Sequence, residues 1–332
     1  MRNNLAAVGI WVAVLFLVLT TLPLILSGYW LKILTNIIMF AVLAQSCNII
    51  SGYTGYPALG NVVFFGLGAY STAILMNRIG APFPLALLAA GLISGLYAAV
   101  LGLPILKTKG HYFVMATLGV NEATRELVNN LDFLTGGGIG MSLPIPDRSI
   151  QSFYILIYFT MLVILVSCTL LVHFVSRSPF GFALRAIRAN EQAAGVMGIN
   201  TTLCKTGAWV ASAFFTGLAG GVYAYWLTYI ESQVVFSIII GVKFFVILLL
   251  GGAGTVFGPL LGAFMFQIID QFIWGAFPEF HLGVLGLLMI MVVIFVPNGL
   301  LRLFETRIWF PAKGLFQALG VMGTRAGRSE KG

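Results

Sequence analysis

Charged side chains are missing from long stretches of the chain, and the positions of those gaps predict its architecture. No Asp, Glu, Lys or Arg occurs from Asn3 to Leu31, Ile33 to Asn77, Ile79 to Leu106 or Ser149 to Ser176. The same holds from Thr206 to Ile230, Phe244 to Ile269 and Phe280 to Leu301. A helix crossing the hydrocarbon core of a bilayer needs about 20 mostly apolar residues, so most gaps hold one span and the 33–77 gap holds two. The turn residues Ser51-Gly52-Tyr53-Thr54-Gly55-Tyr56-Pro57 divide that gap. The pattern predicts an all-α, polytopic integral membrane protein of about ten transmembrane helices. The spans fall near 8–26, 33–51, 58–76, 83–106, 111–129, 151–175, 206–226, 235–250, 256–274 and 282–297. Glu122, Arg125 and Glu126 load the second half of span 111–129 and read as its interfacial end, with Arg125 and Glu122 on one helical face.

Composition narrows the class. Of 332 residues, 59% are hydrophobic and only 8% charged, far from the quarter or so of a soluble domain. The formal net charge of +8 would suit a nucleic-acid partner if it were clustered, but 18 Lys and Arg diluted through apolar sequence mark helix ends instead. With the N-terminus inside, the inner side collects Arg2, Lys107, Lys109, Arg177, Arg185, Arg188, Lys205, Arg302, Arg307, Lys313, Arg325, Arg328 and Lys331. The outer side receives only Lys32, Arg78 and Arg148. That asymmetry supports both termini on the cytoplasmic side. Residues 1–310 then form one transmembrane domain, with a cytoplasmic loop at 176–205, and 311–332 form a basic cytoplasmic tail. The first span lacks a small-x-small cleavage site and reads as a retained helix.

Enzyme chemistry is not visible. No Gly-rich loop ends in Lys-Ser or Lys-Thr, so the chain does not energise itself with ATP by that route. His111, His173 and His281 are isolated, and Cys47, Cys168 and Cys204 make neither a disulfide framework nor a metal set. Transport remains, with no cofactor bound by this chain and no catalytic residue.

The one long inner loop carries the most information. Pro179 and Gly181 suit a turn after Ser178, and Phe182 to Val196 predicts one or two short helices. Arg185 and Arg188 share a face, while Phe180, Leu184 and Ile187 supply an apolar one. Spacing alone leaves two readings open, a helix docked in a partner's groove or a basic helix lying on anionic lipid. The run Glu191-x-Ala193-Ala194-x-x-x-Gly198 resembles the acidic-Ala-Ala coupling loop of ABC-transporter permeases, which favours the partner.

Further stretches extend the likeness. They include Ser51–Gly55 running into Leu59–Tyr70, Gly110–Leu118, Leu134–Gly140, the loop from Ser178 to Ile199, Gly217–Gly221, Leu250–Pro259 and Phe295–Leu300. In that order they resemble the permease subunits of high-affinity branched-chain amino acid ABC importers, the Liv M-type. Asn61 stands where the family's Leu-Gly-His run has His, Gly138 where Pro or Ser is usual, and Lys243 where apolar or acidic residues are expected. The resemblance implies a bacterial cytoplasmic (inner) membrane protein working beside a second permease subunit. It also implies an extracytoplasmic substrate-binding protein and two cytoplasmic ATPase subunits, which would bind the ATP and Mg. Ser178, Pro179, Phe180, Gly181, Arg185, Arg188, Glu191, Ala193, Ala194 and Gly198 become the ATPase-coupling residues. A urea, short-chain amide or sugar importer is the alternative within that class, and an ATPase-independent secondary transporter the alternative outside it.

Two polar groups remain within the spans. Gln45, Asn48 and Asn61 lie near the 51–57 turn, as interhelical hydrogen-bonding residues or as pore-facing ones. Lys243 sits mid-span, where it could meet a substrate carboxylate or pair with Asp270 on the next helix, the pairing being favoured. The turns at 52–57 and 251–259 resemble each other loosely, which suggests a duplicated element.

Overall fold

The computed structural model describes residues 28–108, 110–144 and 149–276, with isolated positions at 23, 283, 286, 287, 290, 291 and 299. The long helices are α1 (Gly28–Cys47), α2 (Val62–Ile79), α3 (Phe83–Ile105), α4 (His111–Asn130) and α6 (Ile150–Arg177), after the single turn α5 (Asp132–Thr135). Next come α7 (Pro179–Ala189), α8 (Glu191–Val196), α9 (Thr201–Leu227), the turn α10 (Ser232–Val235), α11 (Ile238–Gly251) and α12 (Gly258–Ala276). Among the described residues, six helical segments are long and apolar enough to cross a membrane, namely Gly28–Gly52, Leu59–Ile79, Phe83–Ile105, Ile150–Arg177, Thr201–Leu227 and Ser232–Gly251. Helices α4 and α12 cover two further expected spans. Apart from those isolated positions, the expected spans at 8–26 and 282–297 and the tail at 311–332 lie outside the described residues.

The all-α expectation needs one small amendment. Met141–Ser142 (β1) and Tyr229–Ile230 (β2) form a two-residue antiparallel ladder, Met141 opposite Ile230. It belongs to a cluster of loops at one end of the bundle. There Asn77 donates to the Ser142 carbonyl at 2.6 Å, Arg78 to that of Phe133 at 2.6 Å, and the Ser232 hydroxyl meets Asn129 at 2.6 Å. Residues 52–56, 106 and 178–205 gather at the opposite end. Successive long helices therefore alternate in direction, as the charge pattern predicts for the described spans.

Helix α9 is the centre, packed against α1, α2, α3 and α6. A lipid-embedded bundle gains little from hiding apolar surface from lipid, so close backbone approach and hydrogen bonds hold it. Glycine provides the approach: a Cβ on Gly68 of α2 would lie 2.0 Å from the Gly217 carbonyl oxygen of α9, and one on Gly220 2.0 Å from that of Phe65. The hydroxyls of Ser46 and Thr216 add a bond of 2.9 Å between α1 and α9. Gly68→Ala must push two backbones apart, and overpacking of this kind costs about 1–3 kcal/mol. The purified permease should unfold at a lower temperature, and an unchanged melting curve would contradict the close packing.

Candidate functional site

The segment joining α6 to α9 is folded, and it is shorter than the expected 176–205 loop because α6 runs to Arg177 and α9 starts at Thr201. The Ser178 hydroxyl accepts from the Gly181 amide at 3.2 Å, and Pro179 occupies the first turn of α7, where its missing N–H costs nothing. A Cβ at Gly181 would stand 1.9 Å from the Val175 carbonyl oxygen, so the α6–α7 corner needs glycine there. Asn190 ends α7 and caps α8, accepting from the amides of Gln192 at 3.0 Å and Ala193 at 3.1 Å. Gly198, at φ +87°, turns the chain towards α9.

The apolar face of α7 is not held out for a partner. Leu184 and Ile187 are buried and Phe180 half-buried within this chain's own bundle, and Ala194 of α8 is buried with them. That corrects the expectation that these anchors serve helix-in-groove docking: a short amphipathic helix buries its apolar face on the nearest apolar surface, here its own spans. Phe182, Val196 and Met197 remain uncovered, at 61%, 90% and 85% exposure.

Glu191 also points inward. One carboxylate oxygen meets Lys205 Nζ at 2.6 Å, and the other accepts from the Tyr56 hydroxyl. Lys205 is 1% exposed within α9 rather than a solvated loop charge, and it also donates to the Leu106 carbonyl at 2.6 Å and to Tyr56 Oη at 3.1 Å. An ammonium has three protons, and all three have acceptors here, which is the condition under which a buried ion pair is tolerated. Burial first, then the hydrogen bond and charge of Glu191, raises the Tyr56 pKa. Tyr56 stays protonated as the donor in this network.

The two arginines of α7 have separate partners. Arg185 staples its own corner, donating to the Ser176 carbonyl at 2.5 Å and that of Gly181 at 3.3 Å while lying over the Phe182 ring. Arg188 reaches both inter-span turns, donating to the Gly52 carbonyl at 2.5 Å and the Ala253 carbonyl at 3.4 Å. Those turns are joined directly as well. Asn48 donates to the Thr255 carbonyl at 2.7 Å and accepts from the Gly254 amide at 2.8 Å, and Gln45 donates to the Val256 carbonyl at 3.0 Å. Gln45 and Asn48 satisfy backbone that a helix break leaves bare. Asn61, equally buried, donates to Ser212 at 3.0 Å and accepts from the Trp209 indole at 2.7 Å. The structure thus unites Glu191 and Arg188 with the turns at 52–57 and 252–255, and leaves Lys243 and Asp270 apart, paired at 3.1 Å between α11 and α12. Sequence reasoning missed Tyr56 and Lys205. Their signal was a lysine at the start of an apolar span, counted as a loop charge.

Comparison with known proteins gives a consistent result. Residues 29–293 match the family described as the permease component of the branched-chain amino acid transport system. The high-affinity branched-chain amino acid transport system permease protein LivM of Salmonella typhimurium is 29% identical over 313 residues, covering 84% of this chain and 71% of that protein. A probable LivM of Methanocaldococcus jannaschii is 22% identical over 79% of this chain and 90% of its own length. The autoinducer 2 import system permease protein LsrC of Yersinia pestis is 26% identical over 86% of this chain and 78% of its own. No solved structure matches.

Proposed function

This chain belongs to the branched-chain amino acid transport permease family, and we propose that it passes branched-chain or other hydrophobic amino acids through the bacterial inner membrane as one permease subunit of an ATP-binding cassette importer. In this reading it has about ten spans with both termini cytoplasmic. It pairs with a second permease, receives substrate from an extracytoplasmic binding protein, and is driven by two cytoplasmic ATPase subunits that hold the ATP and Mg.

The fastening of segment 178–200 carries the proposal. A loop that only touched lipid would need no internal bolts. This one is tied by Glu191 to Lys205 and Tyr56, and by Arg188 to Gly52 and Ala253. A push on the exposed side of α7 and α8 is therefore transmitted to the Asn48-linked turns and to the base of α9, with little slack. Nothing in the cluster resembles a proton or ion relay, and its one carboxylate is already paired, which disfavours a secondary transporter.

Uptake by the whole complex in proteoliposomes tests the proposal. ATP inside and loaded binding protein outside should drive accumulation of labelled leucine, suppressed by isoleucine but not by urea or ribose. Accumulation without the ATPase subunits would overturn it, and suppression by ribose or urea would move the substrate to that class.

A further inference from the structure

The membrane-embedded part of the described chain holds one buried and one half-buried lysine, and they are differently equipped. Lys205 spends all three protons inside the protein and is 1% exposed. Lys243 has one hydrogen-bond partner among the described residues, Asp270 at 3.1 Å, and its side chain is 13% exposed. It borders a cavity of about 490 Å³, within the rough 300–1,000 Å³ range of small-molecule sites. Asn36, Met39, Phe40, Glu231 and Val234 face the same space. Glu231 is half-buried and makes no side-chain hydrogen bond or ion pair among the described residues. Gln233 and Ser237 also line a second, more polar cavity of about 430 Å³, bordered by Glu122, Arg125 and Glu126 near the end of the bundle opposite Lys205. Polar side chains therefore lead from that end down to mid-span.

We propose that these neighbouring cavities are the outward-side transit site for a zwitterionic amino acid, with Lys243 meeting its carboxylate, Glu231 its ammonium, and Met39, Phe40 and Val234 its apolar side chain. The assignment rests on the importer reading above. An ionisable residue at this depth is costly and, where it is not wholly spent on structural partners, marks a pathway for the transported species. Asp270 neutralises Lys243 when the site is empty and competes with the incoming carboxylate, so the substrate is held weakly, as a conduit requires. The Lys243 protons that have no acceptor among the described residues are the donors the carboxylate would take. Opposite charges on one cavity match a zwitterion, whereas a neutral sugar or urea would leave both unanswered.

The test uses the reconstituted importer with loaded binding protein. K243M/D270N removes the ion pair without orphaning either charge, and E231Q alters a residue outside the pair. Leucine uptake per assembled complex should fall about tenfold in the double variant, the size of one lost charge-assisted contact. It should also fall in E231Q and be largely retained in K243R. Were Lys243–Asp270 only a structural tie, the neutral double variant would transport at the unaltered rate, and that result overturns the proposal. If the double variant does not assemble, E231Q decides, and full uptake by it counts as refutation. Failure of the unaltered complex to take up any branched-chain amino acid would instead strike the importer reading, and this inference with it.

Discussion

Replacing Lys205 with methionine is expected to destabilise the permease by about 3 kcal/mol, the low end for breaking one side of a buried ion pair. The low end applies because Glu191 keeps 17% exposure and can draw some water. Without Lys205 the carboxylate loses its ammonium partner, and the Leu106 carbonyl at the foot of α3 loses the Lys205 donor. The melting temperature of the purified permease reports the loss. The double variant K205M/E191Q removes both charges and should recover most of it. A function readout accompanies the stability one: in assembled complexes the K205M permease should take up less leucine per ATP hydrolysed, since the bolt between α8 and α9 is gone. A melting curve and a coupling ratio both equal to the unaltered protein's would mean that the cluster transmits nothing.

How much of this could be read from the chain depends on the range of the interactions. Spans are local: a charge-free run of about 20 residues declares itself, and α1, α2, α3, α6 and α9 lie largely where the gaps are. The Lys243–Asp270 pair was legible because two mid-span charges on successive antiparallel helices have few other partners. The likeness of the 52–57 and 251–259 turns was visible too, but not that Asn48 binds one to the other across 206 positions of sequence. The direction of Glu191 was unreadable for a related reason. A motif shows that an acid stands beside two alanines, while its partner Tyr56 lies 135 residues away. The amphipathicity of α7 told which side is apolar, not whether the surface covering it belongs to this chain or another. Burial of Leu184 and Ile187 settles that in favour of this chain, and moves the candidate docking face to the residues the burial leaves out.

Those residues support the second large effect. Val196 and Met197 close α8 with almost no cover from their own chain, at the end of the molecule where Lys107, Arg177 and Arg188 gather. Aspartate at both positions should abolish co-purification of the ATPase subunits and with it all ATP-driven uptake, while the permease melts at its usual temperature. The reasoning is that truncating or charging a central contact of an interface costs about 2 kcal/mol or more per residue, whereas an exposed site off the core changes stability by only about 0.5 kcal/mol. Leu184→Asp is the contrasting variant, since it places a charge in the bundle and should lower the melting temperature before any partner is added. The lipid alternative predicts a different pattern, in which V196D/M197D keeps its ATPase subunits and only its response to the anionic lipid content of the vesicle changes. Arg185 and Arg188 argue against that alternative, because their hydrogen bonds go to carbonyls of this chain rather than outwards. An intact complex from V196D/M197D would return the docking face to another part of segment 178–200, with Phe182 the next residue to charge.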